Sequence, residues 1–577
     1  MSNPSELLPQ PRAAIAGDRA RSLPFWFLSA AIIIYLSILF FGLRRGYEHL
    51  HAVLLLLQYL LILPAIVGCL RRRQDQDKVQ AATELPRINL YAVIVCFAAL
   101  VIPLSWFSAR GLMHSDESGY SFQARIYRSG RLMADPLIGA TSNVAREIPR
   151  ELVYTGHVLR PYGWFPKFPP GWPLVLTLGY LISARCLLNP IFGVMQLMVI
   201  AALGWRCFSR ESGVIAAFMA ALSSFYLVNS VGMMSHAFCA ILAATATLCL
   251  FAGLETANLW YYAGMFACLA ATLQVRPYTG FVVTLVLTVA ALWFNRKNQH
   301  TLVRVFAIGV FFGALSIAGV LVYNHLYSGS WLLSPYAMAH DSSLPPELSF
   351  SPGGMLRSIR RHALHTSEEN LIGIFPFAYL LAGYALWRET TRHKEVWILA
   401  SIYVALVLAY LAHTNDSGEV FFGERFHFEG FFALALVAAR GLQLLVERWR
   451  TQRWALVWTM LLLGIMQLAQ QAAAVNAIAR RGEPYRKVRE AIAASGFSGL
   501  VLLHDSPEFV AEHFNLNEAD WRHAPRIYLL DAEPERRAEW ACRYGVPAYA
   551  VVSYDELTRS AILLEGKADC TAVTDQQ

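Results

Sequence analysis

Thirteen long apolar runs dominate this sequence and limit what it can fold into. They lie at residues 24–42, 51–70, 89–107, 189–207, 213–232, 236–254, 259–275, 278–294, 303–323, 371–387, 396–412, 428–445 and 454–475. A helix of about 20 apolar residues crosses a bilayer. Only 15% of the 577 residues are charged, whereas soluble domains have about 25%. The sequence therefore predicts a polytopic α-helical membrane protein with about 13 transmembrane helices.

The basic residues between these runs predict the orientation of the chain, because Lys and Arg accumulate on the cytoplasmic side of a membrane. If every run spans the membrane, five basic segments fall on the same side of it: the polar N-terminus and residues 71–78, 295–300, 388–395 and 448–453. The exception is the pair of arginines in residues 43–49. The polar N-terminus has no signal-peptide cleavage pattern, so the first run is interpreted as a retained span. The N-terminus is expected in the cytoplasm, and three segments are expected outside: 108–188, 324–370 and the tail from about 478.

The tail differs in character from the rest of the chain. Residues 499–505, 526–531 and 548–554 predict buried strands, and residues 507–514 and 534–545 between them predict helices. We therefore expect a small α/β domain outside the membrane. Its cysteines, Cys542 and Cys570, either pair in an oxidising compartment or remain free thiols. The predicted parts are 1–87 with two extra spans, 88–477 as the main membrane module with the large loop 108–188, and 478–577 as the α/β domain.

An acidic pair stands at the start of the first large outer loop, in the segment HSDESGY (114–120). Ser115 is a good helix N-cap, and Asp116 and Glu117 in the first turn complement the positive end of the helix dipole. Tyr120 lies three or four residues further on, so it shares a helical edge with both acids. Two interpretations follow: a helix cap with no further role, or an acidic site.

Three cations occupy positions where a charge is unusual. Lys167 stands among aromatic residues and prolines in YGWFPKFPPGWPL (162–174), where it either extends to the interface or binds a phosphate. Arg276 interrupts a long apolar stretch, and Arg425 lies where a late span begins. Ionisable groups at that depth are costly and indicate function, although a structural ion pair explains them equally well. Residues 170–183 are too short to span and predict an interfacial helix.

Taken in order, several motifs resemble a known family. The acidic stretch D-E-x-x-Y is followed by KFPPGWP, a short RCFSRESG turn, the segment NHLYSGSWLLSPY and finally GERFHFE. This series is similar to the C-superfamily (GT-C) glycosyltransferases that use polyprenyl-phosphate sugars, and most of all to their protein-mannosyltransferase-like and aminoarabinose-transferase-like branch. The resemblance covers roughly residues 88–445. In two respects the sequence departs from the family: the acidic loop follows the third span instead of the first, and Arg-Phe replaces the commoner Arg-Tyr.

The resemblance implies roles for the two acids and the lysine. Asp116 matches the catalytic base or its direct support, and Glu117 matches a second acid that holds the acceptor or the base. Lys167 matches a lysine that contacts the phosphate. Some relatives bind a divalent cation such as Mg or Mn at the acidic loop, and others do not. No metal-ligand set is assigned here.

The remaining substrate-binding residues expected from the resemblance come from four parts of the chain: Tyr120, Arg276, Tyr336 and Arg425. The family implies an inverting transfer of a sugar from a polyprenyl-phosphate donor to an envelope glycan, lipid or protein. It also implies the inner membrane of a bacterium, with the chemistry on the periplasmic face. The residue types suit that reaction, since cations hold a phosphate leaving group and a carboxylate takes the proton of an attacking hydroxyl.

Other classes of protein remain as alternatives. An O-antigen ligase or polymerase also uses polyprenyl-linked glycans and concentrates arginines in a late outer loop, as in RSIRRH (357–362). A transporter places ionisable groups near the bilayer midplane, often in repeated halves, and a non-catalytic scaffold is the third alternative. His362 and His365 are a weak metal pair. The net charge of +8 comes largely from basic residues expected on the cytoplasmic side, without a basic aromatic patch that would favour nucleic acid.

Overall fold

The computed structural model describes most of the chain after residue 87. The described residues are 88–108, 115–136, 154, 156–340, 351–356, 378–389, 393–412, 419–420, 423–449, 453–531, 533–546 and 548–570. The predicted segment 1–87 with the spans 24–42 and 51–70 lies outside them. The segment 357–362 and the residues His362 and His365 also lie outside them.

Helices, most of them apolar, form the larger part of the fold. They are α1 (Leu90–Ser108), α2 (Ser115–Arg128), α3 (Gly171–Leu181), α4 (Leu188–Cys207), α5 (Arg210–Leu222), α6 (Ser224–Asn229), α7 (His236–Thr256), α8 (Leu259–Val275), α9 (Pro277–Asn295), α10 (Gln299–Ser328), α11 (Pro335–His340), α12 (Ala378–Arg388), α13 (Lys394–Tyr410), α14 (Phe431–Arg448) and α15 (Arg453–Ala494). Among the described residues, five helices are long and apolar enough to cross a membrane: Arg185–Cys207, His236–Thr256, Pro277–Asn295, Gln299–Ser328 and Arg425–Arg448. The helical membrane protein is confirmed, and the total of about 13 spans stays a prediction.

The run 213–232, predicted as one span, forms two helices instead. The apolar run 213–232 is divided at Ser223, whose backbone is extended and whose hydroxyl accepts the Tyr226 N–H at 3.2 Å. The short helix α6 then ends at Asn229, and an irregular segment leads to the start of α7 at His236. Hydropathy missed the break because serine caps are small and the run stays apolar on both sides. The irregular segment is important because it supplies part of the site described below.

The interfacial helix predicted near 170–183 is present as α3, which is too short to span a bilayer. One face is buried, and the Trp172 indole N–H donates to the Met233 carbonyl at 2.7 Å. The opposite face leaves Leu174, Leu178 and Leu181 between 53% and 63% exposed. Such an amphipathic arrangement is typical of a helix that lies along a membrane surface.

Helices α12 and α14 approach each other closely at Gly441. A Cβ atom built on Gly441 would overlap the carbonyl oxygen of Leu381, which belongs to the backbone and has no rotamer to change. Small residues permit this kind of backbone approach between membrane helices. By contrast, a Cβ on Gly383, also in α12, meets nothing within 4 Å.

Substituting Gly441→Ala is therefore expected to destabilise the protein by about 1–3 kcal/mol, since the two helices must separate to fit one methyl group. The measurement is the midpoint of thermal unfolding of the purified protein in detergent. Gly383→Ala is the matched control, and we expect it to be neutral or to stabilise by up to about 1 kcal/mol through helix propensity. Equal midpoints for the two variants would contradict the close approach.

The tail contains a four-stranded mixed sheet. Its strands are β5 (Gly499–Leu503), β6 (Arg526–Leu530), β7 (Ala548–Asp555) and β8 (Ser560–Lys567), in the order β6-β5-β7-β8. Strand β5 is parallel to β6 and β7, and β8 is antiparallel to β7. The helix α16 (Arg537–Arg543) precedes β7. Cys542 and Cys570 are joined by a disulfide, with their Cα atoms 5.2 Å apart.

Two further differences from the predictions concern the tail. The predicted boundary at 477/478 falls inside α15, which continues without a break from the apolar helices to the sheet. The predicted helix 507–514 is wrong, because only the 3-10 turn Ala511–His513 forms there. The Asp505 carboxylate accepts the Ala511 N–H at 2.6 Å, and local bonds of this kind compete with helix formation.

Two small hairpins complete the fold: β1 (His157–Arg160) with β2 (Gly163–Pro166), and β3 (Glu419–Val420) with β4 (Gly423–Glu424). The first hairpin, helix α2 and the sheet share one hydrophobic core. Phe122 and Trp164 belong to the same buried cluster as Leu500 and Trp521. The tail therefore packs directly on the helix that carries the acidic pair.

Candidate functional site

The acidic helix α2 places its two acids in different surroundings. Both lie in its first turn, and Arg125 and Arg128 lie in its last turn, so the charges complement the helix dipole at both ends. The Asp116 side chain is 25% exposed, whereas Glu117 is 2% exposed. Ser115, the predicted N-cap, is the first residue of α2, and the two acids after it differ in exposure.

Glu117 anchors α2 to the irregular segment before α7. Its Oε1 accepts the Met233 N–H at 2.8 Å. A buried carboxylate needs such a donor, because an unsatisfied charged group is expensive to bury. The contact explains how α2 is fixed in place. The predicted role of Glu117 in holding an acceptor or the base stays a prediction.

Asp116 contacts the late motif of the sequence. The Arg425 guanidinium donates to Asp116 Oδ2 at 3.1 Å, across 309 positions of sequence. Arg425 is 4% exposed in its side chain, and its guanidinium carbon lies 5.2 Å from the centre of the Phe426 ring. The ion pair orients the Asp116 carboxylate. It also joins α2 to the 3-10 turn that leads into α14.

Arg276 lies in a buried network beside this ion pair. Its Nε donates to Glu429 Oε1 at 3.0 Å, and the same oxygen lies 2.9 Å from His236 Nδ1. Arg276 Nη1 lies 3.3 Å from His236 Nε2 and 3.4 Å from Ser235 Oγ. The pattern fits a histidine that donates through Nδ1 and accepts at Nε2. The ring of Phe426, 5.5 Å from the Arg276 guanidinium, is shared with Arg425.

Tyr120 connects the acidic helix to this network. Its hydroxyl is 3.2 Å from Ser235 Oγ, which Arg276 also contacts. Burial, and then the Asp116 carboxylate, raise the pKa of Tyr120 to about 12. The phenol is therefore neutral near pH 7 and can donate a hydrogen bond to a substrate oxygen.

Lys167 and Tyr336, predicted separately, lie together. The Lys167 Nζ is 4.6 Å from the centre of the Tyr336 ring and 6.0 Å from that of Phe168. Phe168 in turn packs on Tyr120, with ring centres 4.2 Å apart. Lys167 is 8% exposed. The pKa of nearby His157 is lowered to about 3, first by burial and then by the charges of Arg125 and Lys167. Phe168 thus lies between the lysine and the acidic helix.

The tail closes one side of the site. Ser118 Oγ accepts the Asn515 N–H at 3.1 Å. Arg125 Nε donates to the Asn517 carbonyl and its Nη2 to the Asn515 carbonyl, both at 2.9 Å. Burial and Arg481 lower the pKa of His513 to about 4, and the charge of Asp116 opposes that shift. A tail residue therefore lies within electrostatic reach of the exposed acid.

Sequence reasoning assigned no role to two residues of the site, Ser235 and His236, which come from MMSHAF (233–238). Glu429 of GERFHFE differs, because an ionisable residue where a late span begins already indicates function. The available signal was two adjacent polar residues inside an otherwise apolar run, since polar groups at that depth are rarely without a role. The contribution of the tail had no comparable local signal.

The acids near Asp116 do not supply a metal-ligand set. In the part of the chain that the structure describes, no three His, Cys, Asp or Glu side chains are grouped to hold a metal ion. Asp116 pairs with Arg425, Glu117 contacts the Met233 N–H, and Glu429 contacts Arg276. A Mg or Mn ion at the acidic helix therefore stays a prediction, and no step below depends on one.

The fold is that of the GT-C glycosyltransferases, so the resemblance seen in the sequence is confirmed for the fold. The chain is similar to the oligosaccharyltransferase of Archaeoglobus fulgidus, solved with Zn and sulfate, with a TM-score of 0.50 and 15% identity over 80% of this chain and 68% of that one. It is also similar to apo ArnT from Cupriavidus metallidurans, with a TM-score of 0.50 and 13% identity over 82% of this chain and 98% of that one.

ArnT from Cupriavidus metallidurans has also been solved bound to undecaprenyl phosphate; that structure matches with a TM-score of 0.48 and 12% identity over 82% of this chain and 97% of that one. No protein-family model and no curated protein matches the sequence. At these identities the similarities concern the fold, and the function rests on the site.

Proposed function

We propose that this protein is an inverting membrane glycosyltransferase. It moves a sugar from a polyprenyl-phosphate donor to an envelope glycan, lipid or protein. The observation that carries the proposal is the placement of one partly exposed carboxylate, Asp116, in contact with Arg425 and close to the buried Arg276 network. Base and anion-binding groups are thereby brought together by segments far apart in the sequence.

The reaction is a single displacement. The acceptor hydroxyl attacks the anomeric carbon, and its proton passes to the Asp116 carboxylate as the new bond forms. The bond between that carbon and the phosphate oxygen breaks, and the polyprenyl phosphate leaves with the electron pair. Arg425 and Arg276 are cations beside the acid, and Lys167 is a third, next to Phe168. They balance the charge that develops on the departing phosphate.

The donor class is supported by the fold. ArnT from Cupriavidus metallidurans, which shares the fold, binds undecaprenyl phosphate. We propose the same class of donor, a polyprenyl-phosphate sugar, for this protein, and we place the reaction at the periplasmic face of a bacterial inner membrane. In this arrangement the N-terminus is cytoplasmic, and the sheet of the tail lies outside.

The direct test is sugar transfer by the purified protein in nanodiscs. A panel of radiolabelled polyprenyl-phosphate sugars is supplied together with an envelope extract as acceptor. We expect label to move from one donor class to a product in the extract, with inverted anomeric configuration by NMR. If the protein binds none of the polyprenyl phosphates, the proposal fails, and the transporter alternative replaces it.

Lys167→Met is expected to weaken donor use. Losing one charge-assisted contact to phosphate costs about 1.5–3 kcal/mol, so the KM for the donor should rise on the order of 10- to 100-fold, while kcat changes less. The control is Lys297→Met, an exposed lysine between α9 and α10. Unchanged donor kinetics in Lys167→Met would assign Lys167 to packing against Tyr336 instead.

A further inference from the structure

A second group of cations lies around Tyr180, near the end of α3. Arg125 Nη1 lies 3.3 Å from this hydroxyl, which also hydrogen-bonds Ser121. The Arg185 guanidinium carbon is 4.8 Å from the centre of the Tyr180 ring. Burial alone would raise the pKa of Tyr180, but Arg125 and Arg185 lower it below its usual value. The side chains therefore form a positively charged cluster around Tyr180.

Arg489 adds a third cation from α15. Its Nε is buried and has no hydrogen-bond partner among the described residues. The nearest aromatic contact is Phe514, whose ring centre is 5.7 Å from the guanidinium carbon. Burial, then Arg185, and to a lesser degree Arg125, lower the pKa of Arg489 to about 10. Arg489 as a whole is half-buried. A buried N–H without a partner is costly unless a ligand completes it.

The charge of this cluster is not balanced by acids in the part of the chain that the structure describes. Arg125 uses its other donors on backbone carbonyls of the tail, and the adjacent Arg128 pairs with Glu518 at 3.3 Å. Neither Arg185 nor Arg489 forms an ion pair with a described acid. Arg489 contacts Phe514, the next residue Asn515 accepts from Arg125, and Arg125 and Arg185 both contact Tyr180, so the guanidiniums belong to one cluster. Guanidiniums without a carboxylate partner present the planar donor sets that bind phosphate.

The cluster borders a lipid-facing surface. Arg185 follows α3 by four residues, and the exposed side of that helix carries Leu174, Leu178 and Leu181, with Ile182 after it at 72% exposure. An anion held here would have apolar surface beside it. This arrangement fits the headgroup and acyl chains of a lipid better than a free anion in water.

We propose that Arg185, Arg489 and Tyr180 form a binding site for the phosphate monoester headgroup of a membrane lipid. The site is separate from the residues assigned to sugar transfer, and its existence does not depend on that activity. Ser121 lies five residues after Asp116 on α2, about 7.5 Å along the helix axis. A lipid bound at the cluster would therefore lie alongside the acidic helix.

The test uses the full-length protein purified in detergent, with short-chain phosphatidic acid as the phosphate-monoester probe. Binding is followed by the rise in thermal unfolding midpoint during a titration, with phosphatidylcholine and inorganic phosphate in parallel. We expect phosphatidic acid to stabilise the wild type and phosphatidylcholine to have little effect. If inorganic phosphate raises the unfolding midpoint as much as phosphatidic acid does at equal concentration, the proposal that the ligand is a lipid is overturned.

The decisive comparison is the double variant Arg185→Gln with Arg489→Gln. Removing two charge-assisted contacts should weaken phosphatidic acid binding on the order of 100-fold. Arg486→Gln is the control, because Arg486 lies on the same helix and pairs with exposed Glu490 at 2.9 Å. The proposal is overturned if the double variant binds like the wild type, or if Lys167→Met abolishes binding and the double variant does not. The second result would place the lipid at the proposed donor site.

Discussion

Replacing Asp116 with asparagine is expected to lower sugar transfer about 100- to 10,000-fold, the range of a lost general base. Asparagine keeps the shape of the side chain, and its carbonyl oxygen can still accept from Arg425, so the helix and the ion-pair partner should stay in place. The amide cannot take a proton from the acceptor hydroxyl. We therefore expect kcat and kcat/KM to fall together, while the affinity for the polyprenyl phosphate changes little.

The matched control is Asp135→Asn. Asp135 is a partly exposed acid that follows α2 and pairs with Arg131 at 3.1 Å. The substitution Asp135→Asn therefore removes the same charge from the same region of the protein. Its ion pair is a surface one, worth about 0–1 kcal/mol. Transfer by Asp135→Asn should equal that of the wild type. If Asp116→Asn also retained activity, Asp116 would be left as a helix cap, and the base would have to be sought elsewhere.

The second large effect is expected from Arg125→Met, which should destabilise the contact between α2 and the tail by about 2–5 kcal/mol. The substitution removes the donors that satisfy the Asn515 and Asn517 carbonyls. Leaving each buried acceptor without a partner costs about 1–3 kcal/mol. Relief of like-charge repulsion with Arg185 and Arg489 offsets a small part of the loss.

The measurement is chemical unfolding of the purified protein, followed by tryptophan fluorescence, because Trp521 is buried in the shared core and donates to the Asp135 carbonyl at 2.9 Å. Arg128→Met is the control, since Arg128 makes an exposed ion pair with Glu518 and should change stability by less than about 1 kcal/mol. An Arg125→Met protein as stable as the control would show that the hydrophobic core alone holds the tail in place.

Local pattern predicted helix α2 and the aromatic surroundings of Lys167, because that information lies within a few residues. Asp116 and Tyr120 share an edge of α2, and Lys167 stands alone among aromatic rings; both follow from helical periodicity and composition. The pairing of Asp116 with Arg425 depends on the packing of α2 against the turn before α14. A separation of 309 positions leaves no local trace of such a contact.

Other errors came from competition between local and tertiary effects. The turn at Asp505 and Ala511 replaced a predicted helix because one carboxylate offered the backbone a different partner. Glu117 is a separate case, since its predicted role beside Asp116 stays a prediction. Its side chain accepts the Met233 N–H, which is free of helical bonding because the apolar run before α7 is broken. The spacing of two adjacent acids does not determine which of them is buried.

The buried hydrogen bonds between α2 and the tail are made to main-chain atoms of the tail. Ser118 and Arg125 meet the N–H of Asn515 and the carbonyls of Asn515 and Asn517, while the Asn517 side chain pairs with the N–H and carbonyl of Tyr528 in β6. These hydrogen bonds therefore depend on the path of the tail backbone and not on the identity of its side chains. Related chains could exchange most side chains along this stretch without losing the contact, whereas inserting or deleting a single residue would misalign it. At residues 515–517 the chain is therefore constrained in length more than in composition.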